Sequence, residues 1–207
     1  MPQRDDNDFE RRRQRIIDGA LQVFASKGFE TATTRDIAEA AGIKSPGLIY
    51  HYFEDKADLF RHVIEQRVPV IDLFNHAETI YALPPREALT VFARGLLGAT
   101  DSPQTVAMMR LIVGESIRHP GVAEMLNRLG PGRGFAFLRG YMERQMEVGT
   151  LRRTEPGVAV RCFVGPLFAF IVTKVVFPQP DSATLTAEAM ADAAVDVFLR
   201  GMGSHDA

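Results

Sequence analysis

Cysteine is almost absent from this sequence, because Cys162 is the only one in 207 residues. A single thiol cannot form a disulfide within the chain, and there is no CxxC pair or Cys/His cluster that would suit a structural zinc site. No other motif for a metal or a cofactor stands out. These absences favour a protein of a reducing compartment, and we expect a cytoplasmic location with neither cofactor nor metal.

An apolar leader is also missing. Met1–Arg15 is polar and charged, so we expect no signal peptide. The most apolar window, Val158–Phe177, is long enough to cross a bilayer. It nevertheless contains Arg161 and Lys174, and Gly165-Pro166 interrupts it. We therefore expect a buried helix there and no membrane partner.

The chain lacks the excess of basic residues that a nucleic-acid-binding domain usually carries. Its formal net charge is −2, and residues 1–67 contain eleven Lys and Arg against twelve Asp and Glu. Positive charge is instead placed locally. The basic residues of this region include a cluster ahead of the first apolar stripe and two isolated lysines: Arg11, Arg12, Arg13, Arg15, Lys44 and Lys56.

No run of alternating apolar and polar residues bounded by turn signals is present, so the sequence gives no evidence for a strand. Apolar residues recur at helical spacing throughout, and Pro or Gly clusters interrupt them. These clusters lie at residues 83–85, 101–103, 119–121, 130–132, 155–157 and 177–180. We expect an all-α fold with about six helices beyond Pro69.

Four helices are predicted before Pro69. The first carries an apolar stripe from Ile16 to Phe24, and Gly28 suits its C-terminal cap. The second begins at a capping box, Thr33 with Asp36, and ends at Gly42. Ser45 can cap a third helix, Pro46–Tyr52, in which Pro46 takes the first position. Asp55 can cap the fourth, with Leu59, Phe60, Val63 and Ile64 on one face.

Two short helices joined by a tight turn and backed by a longer first helix are typical of a DNA-binding helix-turn-helix. In that arrangement the third helix presents its N-terminal residues to base edges in the major groove. Short capped helices are common in all-α proteins, so this pattern alone is a weak signal.

The order and spacing of several short motifs resemble the N-terminal domain of the TetR family. They are Ile16-Ile17-Asp18-Gly19-Ala20 with Phe24, Gly28-Phe29, Thr33-Thr34-Arg35-Asp36-Ile37-Ala38, Ala41-Gly42-Ile43 and Leu48-Ile49-Tyr50-His51-Tyr52-Phe53, followed by Lys56 and Leu59. Between Gly42 and Tyr50 the chain has one residue more than the commonest family spacing. The resemblance predicts a disordered tail at 1–10, a helix-turn-helix DNA-binding domain at 11–66 and a larger helical ligand-binding and dimerisation domain at 67–203.

The resemblance also implies roles for individual residues, which physical chemistry supports. Phosphate contacts are expected from hydroxyl and basic groups at helix ends: Thr33, Thr34, Tyr50, Tyr52 and Lys56. Base contacts are expected from the start of the third helix and the turn before it: Lys44, Ser45, Gly47, Leu48 and His51. Arg35 and the Arg11–Arg13 cluster are expected to meet the DNA backbone or the minor groove. Phe53 is expected to be a core anchor.

Two apolar helices close the chain, and a protein of this size has little surface left to bury both faces of each. As the resemblance implies, we expect a homodimer with a four-helix seam that binds a near-palindromic operator in double-stranded DNA. The seam is predicted from Phe163, Leu167, Phe170, Ile171, Val175, Ala189, Ala193 and Val197. A monomer with these helices folded inward is the alternative.

A Met-rich and aromatic-rich set suits the lining of an adaptable apolar pocket. The predicted lining residues are Met108, Met109, Ile112, Phe135, Tyr141 and Phe163. A small hydrophobic effector that prefers a conformer unable to match the DNA would release the repressor. Glu115, Arg118 and His119 either anchor such a ligand or form a structural ion pair.

Two other functions stay open at this point. An enzyme is disfavoured because no HExxH, GxSxG or Walker-type motif occurs, although Glu115 and His119 are four residues apart. The second alternative is a TetR-like DNA-binding protein without ligand control, acting as an architectural factor or an activator. The sequence does not separate that alternative from a ligand-responsive repressor.

Overall fold

The computed structural model describes residues 3–67 and 77–203. They divide into two compact units, which lie within Met1–Arg67 with Ala107–Leu126, and within Val68–Val106 with Asn127–Ala207. The described residues are helical apart from turns and one isolated β-bridge, so the all-α prediction is confirmed.

Three α-helices and one 3₁₀ segment form the N-terminal part of the first unit. They are α1 (Gln3–Lys27), α2 (Thr34–Ala40), the 3₁₀ segment (Pro46–His51) and α3 (Lys56–Arg67). Their buried faces pack together around the aromatic rings of Phe24, Phe29 and Phe60, whose centroids lie 4.8 to 5.7 Å apart. Pro69, predicted to end the fourth helix, lies outside the described residues.

The first helix is longer than predicted. Instead of a disordered tail at residues 1–10, α1 begins at Gln3. Within these extra turns Asp8 pairs with Arg12 at 3.5 Å, and the Phe9 ring contacts the Tyr52 ring with centroids 4.5 Å apart. The polar composition of residues 1–10 favoured a disordered tail. In the structure the contact of Phe9 with Tyr52, which is distant in sequence, stabilises these turns as helix.

The capping box predicted for α2 is confirmed. The Asp36 backbone N–H donates to Thr33 Oγ1, and the Thr33 N–H donates to the Asp36 carboxylate. Lys27 at the end of α1 also donates to Asp36, with Nζ and Oδ1 2.8 Å apart. Hydrogen bonds from Lys27 and Thr33 lower the pKa of Asp36 to about 2. The carboxylate therefore stays charged at neutral pH and holds α1 and α2 together.

The third element differs from the predicted helix over Pro46–Tyr52, because it is a 3₁₀ turn that ends at His51. The Leu48 N–H donates to the Ser45 carbonyl and the Tyr52 N–H to the Ile49 carbonyl, both at 3.0 Å. Pro46 stands at its start, where a missing N–H costs no hydrogen bond. Side chains in such a segment repeat every three residues.

Helix α1 approaches the end of α2 very closely. A Cβ on Gly19 would lie 2.7 Å from the Ala41 backbone nitrogen, which leaves no room for a side chain. Arg15, one turn earlier, donates through Nη2 to the carbonyl oxygens of Ala41 and Gly42, both at 2.8 Å. Gly42 has φ +62°, the left-handed conformation that glycine adopts without strain. This contact fixes where the turn before the 3₁₀ segment starts.

Within residues 77–203 the structure has seven α-helices. They are α4 (Ala77–Tyr81), α5 (Pro85–Gly98), α6 (Pro103–Arg118), α7 (Pro120–Leu129), α8 (Pro131–Glu147), α9 (Pro156–Ile171) and α10 (Ala187–Met202). The helices α5 to α9 each begin with proline, the residue whose missing N–H is harmless at that position. The breaks predicted from the Pro and Gly clusters are therefore confirmed.

The core of the second unit is built mainly by α5, α8, α9 and α10. Tyr141 is fully buried in it and donates to the Leu83 carbonyl oxygen at 2.7 Å. Burial raises the pKa of Tyr141 to about 12, so the phenol stays protonated and keeps this bond. On the surface Arg94 forms an ion pair with Asp192, which joins α5 to α10.

Helix α9 continues into a π-helical turn, Val172–Val176. By length and composition alone, Pro156–Val176 is the one candidate membrane span among the described residues. Phe163, Leu167 and Phe170 of this helix are buried in the core of the second unit. It is therefore a helix of the fold, as the charged residues within it predicted.

We expect Gly19→Ala to destabilise the protein. The added methyl group would meet backbone rather than a movable side chain, and overpacking costs about 1–3 kcal/mol, more than the helix propensity gained. Gly98→Ala is the matched control, because a Cβ there would meet nothing within 4 Å. Calorimetry of the full chain measures both. A melting temperature for Gly19→Ala at or above that of the wild type would contradict the close approach.

Candidate nucleic-acid interface

The 3₁₀ segment has one inward row of side chains. Ile49 is fully buried, and Pro46 and Tyr52, three residues to either side, are half-buried. The period of three places Leu48 and His51 in a second row, and Ser45, whose backbone is extended, lies just before it. Gly47 and Tyr50 form a third row, and Tyr50 is 55% exposed.

The residues predicted to contact bases lie on these outward rows or just before them. Lys44, Ser45, Gly47 and His51 are exposed, and Leu48 is half-buried. Ser45 has an extended backbone conformation and precedes the segment. A second apolar anchor beside Ile49 is Phe53, which is 2% exposed and therefore a core residue.

The N-terminus of α2 presents the other predicted polar contacts. Arg35 is exposed and Thr34 is half-buried. Thr33 is exposed, but its hydroxyl already donates to Asp36 Oδ2 at 2.8 Å and accepts the Asp36 N–H. The helix end thus offers backbone N–H groups and Arg35 to an anion, while the Thr33 side chain serves first as a cap.

Lys56 has internal partners, and its predicted phosphate contact stays a prediction. Its ammonium donates to the carbonyl oxygens of Glu30 and Ala32 at 3.1 and 3.2 Å and lies over the Phe29 ring. A lysine at the start of a helix is repelled by the helix dipole unless a negative group compensates. Here the two carbonyl oxygens compensate, and Lys56 ties α3 to the loop after α1.

Sequence reasoning missed two roles on α1. Arg15 was grouped with the basic cluster, yet it caps the carbonyl oxygens at the end of α2. The Arg13 guanidinium lies 5.5 Å from the centroid of the Phe53 ring. The i, i+4 spacing of Phe9 and Arg13 on one helix face could have indicated a shared partner.

Glu115 is a buried carboxylate that forms an ion pair with the exposed Arg118 within the first unit. Its side chain is 3% exposed; Oε1 accepts from Arg118 at 2.7 Å and Oε2 lies 3.6 Å from His119 Nε2. Oε1 also lies 3.0 Å from where a Cβ on Gly28 would stand, and Gly28 has φ +83°. The arrangement favours the structural interpretation over a ligand anchor. Among the described residues no group of three His, Cys, Asp or Glu side chains could hold a metal ion.

The residues predicted to line a ligand pocket fall in both units. Met108, Met109 and Ile112 belong to the first, where Met108 is fully buried. Phe135, Tyr141 and Phe163 belong to the second. Tyr141 and Phe163 are buried in its core, with Phe135 packed against them.

The residues predicted for the dimer seam have different exposures. Phe163, Leu167, Phe170 and Val175 are buried within the protomer, and Ile171 is half-buried. These five are therefore largely unavailable to a second chain. Ala189, Ala193 and Val197 on α10 are exposed, with Val197 72% exposed.

A groove of about 360 Å³ runs between the outer faces of α9 and α10. Val158, Cys162 and Pro166 of α9 line it, with Ala193 and Val197 of α10 opposite. We call these five residues the outer face. Val158 is 52% exposed, so the outer face is an apolar surface that the protomer leaves open.

Two family models match the chain. The model described as bacterial regulatory proteins, tetR family, covers residues 16–63, which hold α2, the 3₁₀ segment, the C-terminal part of α1 and most of α3. The model described as AefR-like transcriptional repressor, C-terminal domain, covers residues 87–202. Together they account for both the predicted helix-turn-helix and the helical C-terminal part.

Individual relatives agree with the family models. The chain is 29% identical over 169 residues to the HTH-type transcriptional repressor Rv1474c of Mycobacterium tuberculosis, covering 79% of this chain and 82% of that one. A crystal structure of a putative TetR-family transcriptional regulator from Mesorhizobium loti has a TM-score of 0.68 at 24% identity, covering 94% and 98% of the two chains. The transcriptional regulator FadR of Bacillus subtilis, solved in complex with stearoyl-CoA, has a TM-score of 0.68 at 17% identity, covering 91% and 98%.

These similarities extend over both parts of the chain, and the family is one of transcription regulators rather than enzymes. The elements of the first unit supply the helix-turn-helix on which its DNA binding depends. The chain belongs to the TetR family and is a DNA-binding transcriptional repressor.

Proposed function

We propose that this repressor binds a near-palindromic operator as a homodimer in the cytoplasm and is released by a small hydrophobic effector. The observation that carries the DNA-binding part is the outward row of Leu48 and His51, with the exposed Ser45 just before it and Ile49 buried beneath the segment. A hydroxyl, an apolar side chain and an imidazole placed close together suit base edges and a thymine methyl group. Lys44, exposed just before the row, suits a guanine.

Phosphate contacts would surround this row. Arg35 and the N-terminus of α2 are exposed on one side, and Tyr50 is exposed on the 3₁₀ segment. Arg11 and Arg12 are exposed near the start of α1. These groups orient the protein on the duplex, while the outward row selects the sequence.

A dimer formed through the outer face would have two-fold symmetry, which matches the symmetry of a near-palindromic operator. An isologous contact places the same apolar surface of each copy against the other. Val158 and Val197 are large, apolar and mostly exposed, so a second copy would remove them from water. The four buried residues first predicted for the seam, Phe163, Leu167, Phe170 and Val175, would support this face from within.

The effector is proposed to be apolar and to act by population shift. The Bacillus subtilis neighbour was solved with stearoyl-CoA, a ligand with a long acyl chain. The predicted pocket residues of this chain are two Met, one Ile and three aromatic side chains, which suit such a ligand. A ligand that binds more tightly to a conformer unable to match the operator would dissociate the complex.

Selection of bound duplexes from a random-sequence library tests the function. The wild-type chain is expected to enrich a near-palindromic site, and Leu48→Ala is expected to relax preference at one position in each half-site. The selected duplex then serves to screen fatty acyl-CoA thioesters of increasing chain length for release. Failure to enrich any sequence would contradict operator binding, and failure of every thioester to weaken binding would contradict control by this effector class.

The role of Lys56 can be separated from a phosphate contact by salt dependence. Because its ammonium already binds two carbonyl oxygens, we expect Lys56→Gln to lower the melting temperature but to leave the slope of log Kd against log salt unchanged. Arg35→Gln is the comparison, since loss of a phosphate contact reduces that slope by about 0.9 for each phosphate. If Lys56→Gln reduced the slope as much as Arg35→Gln does, Lys56 would also contact a phosphate.

The proposal that the outer face is the dimer interface can be tested by placing a charge on it. We expect Val197→Glu to convert the dimer to a monomer, because the seam would have to bury two unpaired carboxylates. Val148→Glu is the control, since Val148 is also exposed but lies at the end of α8. Light scattering gives the mass, and circular dichroism checks that the helices are retained. A folded Val197→Glu dimer would show that the seam lies elsewhere.

A further inference from the structure

The first turns of α1 cover the end of the 3₁₀ segment. The Phe9 and Tyr52 rings lie with centroids 4.5 Å apart and planes tilted by 34°. One helical turn later the Arg13 guanidinium lies over the Phe53 ring. Two α1 side chains on one face therefore contact two consecutive aromatic residues.

Burial in the core does not account for Phe9. Its side chain is 45% exposed, and it is not one of the buried residues of the first unit. A phenylalanine that stays this exposed gains only part of the hydrophobic free energy that full burial would supply. Its contact is with Tyr52, a residue at the edge of the surface proposed to meet DNA.

Tyr52 is held at its backbone and by its ring. Its N–H donates to the Ile49 carbonyl, and its ring packs on Phe9. Its hydroxyl has no hydrogen-bond partner among the residues whose side chains the structure describes. The phenol is thus an oriented donor that the fold itself does not use.

We propose that Phe9 is a positioning residue for DNA binding, which holds the Tyr52 ring so that its hydroxyl donates to a phosphate of the operator. This inference rests on the proposed function. Fixing the ring before the DNA arrives lowers the entropy lost on binding. The surface that contacts DNA thereby includes the first turns of α1, where Arg11 and Arg12 are also exposed.

Four variants of the full chain test the proposal on the duplex that the wild type selects. Tyr52→Phe keeps the ring but removes the donor, Phe9→Ala removes the support, and Phe9→Tyr keeps an aromatic ring. Val148→Ala removes an exposed apolar side chain elsewhere. Kd, melting temperature and a phosphate-ethylation interference footprint are measured for each.

Tyr52→Phe is expected to raise Kd by about 25-fold, which is about five-fold for the one hydrogen bond lost in each half-site, and to remove one phosphate per half-site from the footprint. Phe9→Ala is expected to remove the same phosphate with a similar change in Kd, while Phe9→Tyr restores it and Val148→Ala leaves all signals unchanged. A structural role alone would lower the melting temperature and weaken every footprint signal together, which would overturn the proposal.

Wild-type affinity and a complete footprint in Phe9→Ala would also overturn it, as would loss of a different phosphate. Failure of the wild-type chain to select any duplex is a separate result, because it contradicts operator binding itself. The two failures are therefore distinguishable in one series of measurements.

Discussion

The contact between α1 and the end of α2 sets the position of everything that is proposed to meet DNA. Gly19 lets the two backbones approach, and Arg15 satisfies carbonyl oxygens that the end of α2 leaves without helical partners. The turn that follows leads directly into the 3₁₀ segment. A shift of α2 against α1 would therefore move Ser45, Leu48 and His51 together.

Local chemistry was the part of the fold that the sequence predicted best. The capping box at Thr33 and Asp36 involves neighbours in the chain, and so does the proline that begins each of five helices. Gly28 and Gly42 adopt the positive φ that their positions at helix ends suggested. These signals need no knowledge of tertiary contacts, because each group finds its partner within a few residues.

Two features that the sequence did not predict depend on partners distant in sequence. Phe9 extends α1 through Tyr52, and the tether of Lys56 reaches back to Glu30 and Ala32. For α9 the difficulty was of another kind. A helix that is apolar on every side has no stripe to mark its inner face, so Phe163 and Leu167 were assigned outward although they fill the core.

The internal partners of the basic residues bear on how the repressor searches a genome. Arg15 and Lys56 donate hydrogen bonds to backbone carbonyl oxygens and Lys27 is ion-paired with Asp36, so a DNA phosphate would have to compete with these partners. Arg11, Arg35 and Lys44 are exposed and have no ion-pair partner within residues 3–67 and 77–203. Few counterions would then be released when the repressor binds nonspecific DNA, so its affinity for nonspecific sequences would be low. Specificity would then come as much from weak binding to nonspecific sites as from tight binding to the operator.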